Sequence, residues 1–464
     1  MSVNRAGALQ RARSIFDDGT FVARLRPLVA VPTESQAPDS LPHLIRYCRE
    51  AFGPLLADLG FTPEVLDNPR AGFGPVLVGT RIEDASLPTV LIYGHGDVVL
   101  AQPQRWRKDL DPWRVTVEND RIYGRGVVDN KGQHLLALEA LRAVLAERGR
   151  LGFNAKFMVE TGEEAGSPGL LEFLQQHRAR LAADVFIALD GPRQTTFIPD
   201  IMLGTRGGVA LDLIVNLREG SHHSGHWGGV LADPGFILAH ALSSIVSPDG
   251  RILVPGWTPK HVPGSVRRAC ASLLFEEVPG LPEADPNWGE PGLSKADRIY
   301  AWTSVIVLAS VCGQPEAPVN AVAGNARARI QIRHTVDVPA DTLLPDLRRH
   351  LDAHGFQAVQ IIPVTEREMF PPSRTDPDHP WVRKVARSMT ETVGRAPNIV
   401  PGGSASGPSE YFKETLGVPV MWIPHSYGGC GQHGPNEHGL GSLFRDGLAI
   451  MAGIWWDIGT EAAA

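Results

Sequence analysis

The sequence predicts an α/β protein: a mostly parallel sheet flanked by helices, with an inserted α+β unit built on an antiparallel sheet. Two patterns carry this. Short β-prone runs that end in glycine or acidic turns alternate with helical stretches near both ends of the chain. Between them the texture changes to period-two alternation, which suits strands with one wet face.

In chain order, Ala8 to Phe16, Thr20 to Val29 and Leu41 to Leu59 space their apolar residues at three and four, the helical interval. Val76 to Thr80 and Thr89 to Tyr93 are strand-like, the second breaking into Gly94-His95-Gly96-Asp97. Gln133 to Leu145, rich in Leu and Ala, reads as an amphipathic helix. Strands follow at Ala155 to Val159 and Asp184 to Leu189. Val209 to Val215 and Ala326 to Ile332 alternate apolar and polar residues, on either side of a Pro- and Gly-rich stretch from Ser247 to Gly292. Helix and strand alternation then resumes at Trp381 to Val393, Val418 to Ile423 and Leu443 to Ile458. No internal repeat or low-complexity tract interrupts this order.

Composition narrows the function. The 464 residues are 43% hydrophobic, enough for large cores and two domains, and 44 basic against 51 acidic residues leave a formal charge of −7. That balance argues against nucleic acid or an anionic membrane as partner. Cys48, Cys270, Cys312 and Cys430 are far apart and form no CxxC pair, so free thiols in a reducing, cytoplasmic compartment are expected. The N-terminal residues mix charges without an apolar core, and no uninterrupted apolar stretch is long enough for a membrane span.

The chemistry gathers at strand ends, where open α/β sheets place their sites. His95, Asp97, Asp129, Glu163, Glu164 and Asp190 each sit beside glycine or another turn former, and His433 lies in the glycine-rich Gly431-Gln432-His433-Gly434-Pro435-Asn436-Glu437. Imidazole and carboxylate donors suit Zn²⁺, Mn²⁺ or related ions. A carboxylate shared by two ions would let each take one histidine and one further carboxylate. The adjacent pair Glu163-Glu164 supplies both a ligand and a group to move a proton. Other shapes fail on spacing: Gly402-Gly403-Ser404-Ala405-Ser406-Gly407 is no GxSxG elbow, and Gly124 and Gly126 lack the third glycine of a dinucleotide site, so no nucleotide cofactor is expected. The i, i+4 pair His222 and His226 lies among Ser and Gly and is not read as a second metal site.

In their order, Gly94-His95-Gly96-Asp97, Gly124-Arg125-Gly126 with Asp129-Asn130-Lys131-Gly132, Glu160-Thr161-Gly162-Glu163-Glu164-Ala165-Gly166-Ser167, Asp190, and His433 with Asn436-Glu437 resemble the co-catalytic di-zinc peptidases and deacylases. That family includes carnosinase, glutamate carboxypeptidase, aminoacylase and succinyl-diaminopimelate desuccinylase. The resemblance covers nearly the whole chain and is nearest the carnosinase-like dipeptidase branch, through the lid length, Asn287-Trp288-Gly289-Glu290-Pro291 and the sequence around Gly402. It implies a di-metal catalytic domain over 1–204 and 368–464 and a lid and dimerisation domain over 205–367. It also implies two divalent ions, zinc with manganese or cobalt as alternatives: His95 and Asp190 on one, Glu164 and His433 on the other, Asp129 bridging.

By the same resemblance Asp97 orients His95, Glu163 is general base and acid, and a cis peptide follows Asp129. Ser221-His222-His223-Ser224-Gly225 resembles the lid motif whose histidine reaches the partner subunit's active site, a role that falls to His223. Asn320 and Arg333 would hold substrate from the lid, and Gly403 and Ser404 from the catalytic domain, Arg333 gripping a free carboxylate with two parallel hydrogen bonds. The chain departs from the family at Asn130, where many relatives have a second Asp, and at Ser221-His222, which replaces Asp-Leu. The implied substrate is a dipeptide, with an N-acyl amino acid as the alternative, and the implied assembly is a homodimer. A catalytically silent binding homologue would have to lack a ligand or the base, and each is present here.

Overall fold

Runs of β-branched and aromatic residues build one large sheet from two distant parts of the chain. The computed structural model describes residues 3–276, 282–364, 370–403 and 407–460. The early strands are β1 (Thr62–Leu66), β2 (Val76–Arg81), β3 (Thr89–His95), β4 (Asn154–Glu160), β5 (Val185–Ala188) and β6 (Asp200–Met202). Four strands then form a separate sheet: β7 (Gly207–Asn216), β8 (Ser304–Cys312), β9 (Asn325–His334) and β10 (Val359–Pro363). The chain returns to the first sheet with β11 (Asn398–Val400) and β12 (Val420–Trp422).

The large sheet runs β1-β2-β4-β3-β5-β12-β6-β11. Its centre is parallel, since β3 pairs in parallel with both β4 and β5, and β12 in parallel with β5. Antiparallel pairs occur at β1–β2, β2–β4 and β6–β12. The smaller sheet, ordered β8-β9-β7-β10, is antiparallel throughout. Its alternation is as expected: Ala326, Ala328, Ile330 and Ile332 of β9 are buried, and Arg327, Arg329 and Arg333 face outward.

Successive residues of β3 and β5 feed opposite cores. Val90, Ile92, Val185 and Ile187 join the layer containing α1 (Arg5–Asp17), α2 (Thr20–Val29), α3 (Lys131–Arg148) and α4 (Gly441–Ile458). Leu91, Tyr93 and Phe186 pack on the other face with Phe173 and Phe412.

Two expectations are corrected. The stretch from Leu41 to Leu59 is not one helix: α-turns at Leu41–Arg46 and Gly53–Ala57 flank a π-helical turn over Tyr47–Phe52. Pro54 lacks an N–H and its ring opposes the carbonyl four residues earlier, and the wider turn, closed by Gly53 N–H on the Cys48 carbonyl, accommodates both. Helix α3 is not amphipathic, because Lys131 to Leu141 is buried without interruption beneath α1 and α4. The Pro- and Gly-rich stretch also contains a helix, Gly264–Ser272. No helix among the described residues is long and apolar enough to cross a membrane.

Candidate metal centre

The parallel strands point their C-terminal ends at one place. His95 is the last residue of β3, in register with Glu160 of β4. Its ring is fully buried, with Nδ1 3.1 Å from the Asp97 carbonyl oxygen. A proton donated there leaves Nε2 with its lone pair, 3.0 Å from Asp129 Oδ1 and 3.3 Å from Asp190 Oδ2. Glycine is required at position 96, since a Cβ there would lie 2.6 Å from the Tyr47 ring.

Asp129 precedes α3, and the Asp129–Asn130 peptide is cis, as the resemblance implied. Its second oxygen, Oδ2, is 2.8 Å from His433 Nε2 and accepts a hydrogen bond from Gln432 Nε2 at 2.7 Å. One carboxylate therefore offers one oxygen to each histidine. Glu164 follows β4 in a short 3₁₀ turn and brings Oε2 to 3.2 Å from His433 Nε2. Asp190 follows β5, its Oδ1 accepting the Gly191 N–H at 2.6 Å. One donor atom each from His95, Asp129 and Glu164 lie within 4.8 Å of one another.

Asp97 differs in detail from expectation. Its backbone carbonyl is the hydrogen-bond partner of His95, with carboxylate Oδ1 at 3.5 Å from Nδ1. The carboxylate itself accepts the backbone N–H groups of Glu163 at 3.2 Å and Glu164 at 3.0 Å.

Charge crowding marks the cluster. Burial pushes the Glu163 carboxyl well above its ordinary range, with Glu164, Asp190 and Asp129 adding to the effect and His95 opposing it. Burial and Asp129 push Glu164 up to about 8 and also raise Asp190. Asp129 and Glu164 raise His433 to about 11. Burial works against a charged His95, yet Asp129, Asp190 and Asp97 hold its pKa well above the usual range. Burial likewise opposes the charge on Asp129, and His433 and His95 keep that carboxyl below its ordinary value. Acidic groups thus outnumber the imidazoles in a cluster that is buried except at His433, a crowding that a cation would relieve.

The donors fit divalent ions. His95 Nε2 and Glu164 Oε1 are buried with no hydrogen-bond partner, although carboxylate oxygens lie 3.0 and 3.3 Å from that nitrogen. Atoms so placed surround a shared point instead of bonding one another.

Sequence reasoning missed Gln432, which holds Asp129, and Glu160, a buried carboxyl pushed up to about 7 by burial while Tyr93 and Ser167 donate to it. Glu160 stood in the quoted motif, and its place as the last residue of a buried strand was the available signal.

The residues expected to hold substrate fall in two groups. Arg333 of β9 pairs with Gly208 and Ser304. Arg206 Nη1 donates to Ser304 Oγ at 3.4 Å, and its backbone N–H donates to the Gly403 carbonyl at 3.3 Å. Arg206 therefore links Gly403 to Ser304, the strand partner of Arg333, and burial and the Arg333 charge lower its own pKa to about 10. Ser404 lies outside the described residues. His223 and Asn320 meet elsewhere: His223 pairs with Ala321, and Ser224 N–H donates to the Asn320 carbonyl at 2.9 Å. Both are exposed, and His223 Nδ1 accepts from the Gly225 N–H.

The chain is similar to known proteins over most of its length. The human Beta-Ala-His dipeptidase is 26% identical over 456 residues, covering 90% of this chain and 86% of that protein. The Cys-Gly metallodipeptidase dug1 of Schizosaccharomyces pombe is 30% identical over 452 residues, covering 90% and 91%. Among solved structures, the M20 family metallo-carboxypeptidase Sso-CP2 from Sulfolobus solfataricus shares the fold with a TM-score of 0.76 at 21% identity, over 95% of this chain and 99% of that one. Residues 91–457 match Peptidase family M20/M25/M40, and the chain belongs to that family.

Proposed function

We propose that this chain is a metal-dependent dipeptidase that cuts an amide bond next to a free carboxylate, with two divalent ions at the strand-end cluster. The observation that carries the reading is Asp129, with one carboxylate oxygen toward His95 and the other toward His433. His95 and Asp190 would hold one ion, Glu164 and His433 the other, and Asp129 both. Zinc suits the mixed imidazole and carboxylate set, with manganese or cobalt as alternatives. When bound, such ions supply Lewis acidity that lowers the pKa of water and polarises a carbonyl.

Glu163 takes the proton of the attacking water and passes it to the leaving amine. Asp97 fixes the backbone of the Glu163-Glu164 turn, so that Glu164 reaches His433 and its neighbour keeps a separate direction. Burial raises the Glu163 carboxyl above its ordinary range, the direction that a general base needs. Arg333, Gly403 and Ser404 receive the substrate carboxylate, helped by the junction through Arg206. The dipeptidase names of the relatives favour a dipeptide over an N-acyl amino acid.

The two sheets support the division into a catalytic domain, 1–204 and 368–464, and a lid, 205–367; the boundary at 367/368 itself lies outside the described residues. The sheet edge supports a homodimer: β8 is an edge strand on which Ile306, Val307, Leu308 and Val311 are all exposed. His223 and Asn320, exposed in one chain, would then act on the second copy's centre. The four cysteines are free, which favours a reducing, cytoplasmic compartment.

The test is hydrolysis of a mixed panel of dipeptides and N-acyl amino acids, with and without chelator and with added Zn²⁺ or Mn²⁺. Chelator-sensitive, metal-restored cleavage of dipeptides is the expected result. Turnover confined to N-acyl amino acids would overturn the substrate reading.

A further inference from the structure

The Gly124-Arg125-Gly126 run binds a carboxylate that belongs to the chain itself. Glu437 is fully buried, four residues after His433. Its Oε1 accepts the backbone N–H groups of Gly126 at 3.0 Å, Val128 at 3.1 Å and Asp129 at 3.2 Å. Its Oε2 accepts Arg125 Nη1 at 2.6 Å and the Gly126 N–H at 3.1 Å. Arg125 Nη2 returns to the Gly434 carbonyl at 2.9 Å, and the Gly124 N–H donates to the Glu437 carbonyl at 3.1 Å. Gly126 has φ +86°, and a Cβ there would meet Val98 Cγ1 at 2.9 Å and Lys131 Cδ at 3.1 Å, so this cradle needs glycine.

Every one of these bonds joins the loop ending in Asp129 to the loop carrying His433. Apart from the facing pair Asp129 and His433 themselves, the side chain that adds to this junction is Gln432, with a single bond to Asp129. Burying an ion pair is costly, and apolar side chains would fill the same space with less loss. A charge kept in such a place fixes one spacing, because its bonds are directional and apolar packing is not. The two residues spaced in this way are Asp129 and His433, whose facing atoms are 2.8 Å apart.

We propose that Glu437 and Arg125 form a positioning clasp that sets the separation of Asp129 and His433, and so the affinity of the metal position built on His433 and Glu164. The position built on His95 and Asp190 hangs from the ends of β3 and β5 and shares only Asp129 with the clasp, so it depends on the clasp less. The inference rests on the reading of His433 and Glu164 as metal ligands.

The experiment compares wild type, Glu437→Gln, Arg125→Lys and His433→Ala. Each metal-stripped protein is titrated with Zn²⁺ by calorimetry and by competition with a chromophoric chelator, and circular dichroism and thermal unfolding confirm the fold. In Glu437→Gln one binding event is expected to weaken roughly 10- to 100-fold, the range for residues that orient metal ligands, and the other, which shares only Asp129 with the clasp, to weaken clearly less. In saturating Zn²⁺, kcat falls and KM stays. Arg125→Lys, which keeps the charge and loses the fork, gives the same pattern more weakly and decides the matter if Glu437→Gln does not fold. Folded Glu437→Gln or Arg125→Lys with both affinities intact would overturn the clasp while His433→Ala still loses one event. If His433→Ala keeps both events, the ligand reading is wrong and the clasp falls with it.

Discussion

Asp97 Oδ2 accepts the backbone N–H of Glu164 at 3.0 Å. With Oδ1 on the Glu163 N–H, this one carboxylate sets the turn that carries both the proposed base and a proposed ligand. Asp97→Asn turns an acceptor toward those amides into a donor. The expected result is a loss of roughly 10- to 100-fold in kcat/KM together with weaker metal retention. Steady-state kinetics beside elemental analysis checks this, and unchanged kcat with full metal content would show that the Asp97 backbone alone suffices.

Glu163→Gln separates proton transfer from metal binding. Expected is a fall in kcat of about 10²- to 10⁴-fold with the metal content of the wild type. Near-normal turnover would mean that another group carries the proton.

His223 can be placed by mixing subunits. His223→Ala and Glu163→Gln should each be nearly inactive as homodimers. Co-refolding the two should restore about a quarter of wild-type activity, because half of the subunit pairs are mixed and each mixed pair holds one intact centre if His223 acts across the interface. A mixture no more active than its components would place His223 outside the reaction or within its own chain.

Asn130 ties the ends of two strands. Its Nδ2 donates to the Leu189 carbonyl at 2.6 Å, and its Oδ1 lies 3.1 Å from His134 Nδ1 and 3.4 Å from the His95 backbone nitrogen. Asn130→Asp sets an acceptor against the Leu189 carbonyl, at a cost of about 1–3 kcal/mol for the unmatched pair. A lower thermal midpoint is expected at neutral pH, recovering in acid, where the protonated side chain can donate again. An unchanged midpoint at neutral pH would show that the Leu189 bond contributes nothing.

The lid sheet has its own acid signature. Arg329 and Arg327 hold the Asp212 carboxyl at about 2, below the ordinary 3.8. A depressed carboxyl stabilises the fold above its unfolded pKa and loses that contribution as pH falls toward the folded value. Wild type should therefore be more stable than Asp212→Asn at pH 5, with the difference shrinking between pH 4 and 2. Urea unfolding at several pH values measures it, and a constant difference would assign the effect to packing.

The large elements were legible because they repeat a single period. Val90 to Tyr93 is apolar without a break and Ala155 to Val159 is interrupted only by Lys156, so their strand ends, and with them His95 and Glu164, could be located before any contact was known. Asp129 and His433 were legible through the order of their motifs. What local pattern does not encode is reach between loops: Arg125 and Glu437 are 312 residues apart, and neither carries a periodic signal. The same reason hid the carboxylate of Asp97, which acts on amides instead of side chains. The short strand Arg121–Tyr123 was invisible because pairing with the distant His438–Leu440 stabilises it, not its own composition, and Thr116–Glu118 in turn pairs with Arg121–Tyr123.

Strand β12 lies between β5 and β6, both of which precede the whole lid in the chain. During synthesis those two neighbours leave the ribosome with their facing edges open, and stay so until Val420 to Trp422 arrive. The newborn polypeptide must therefore complete its lid while the larger sheet is still split, shielding two bare edges that could recruit other nascent chains. Closure of the sheet is then a late, sequence-distant step, of the kind whose loop-closure entropy slows folding. A ribosome stalled before residue 420 would hold His95, Asp129, Glu164 and Asp190 without His433, the histidine that faces the second oxygen of Asp129.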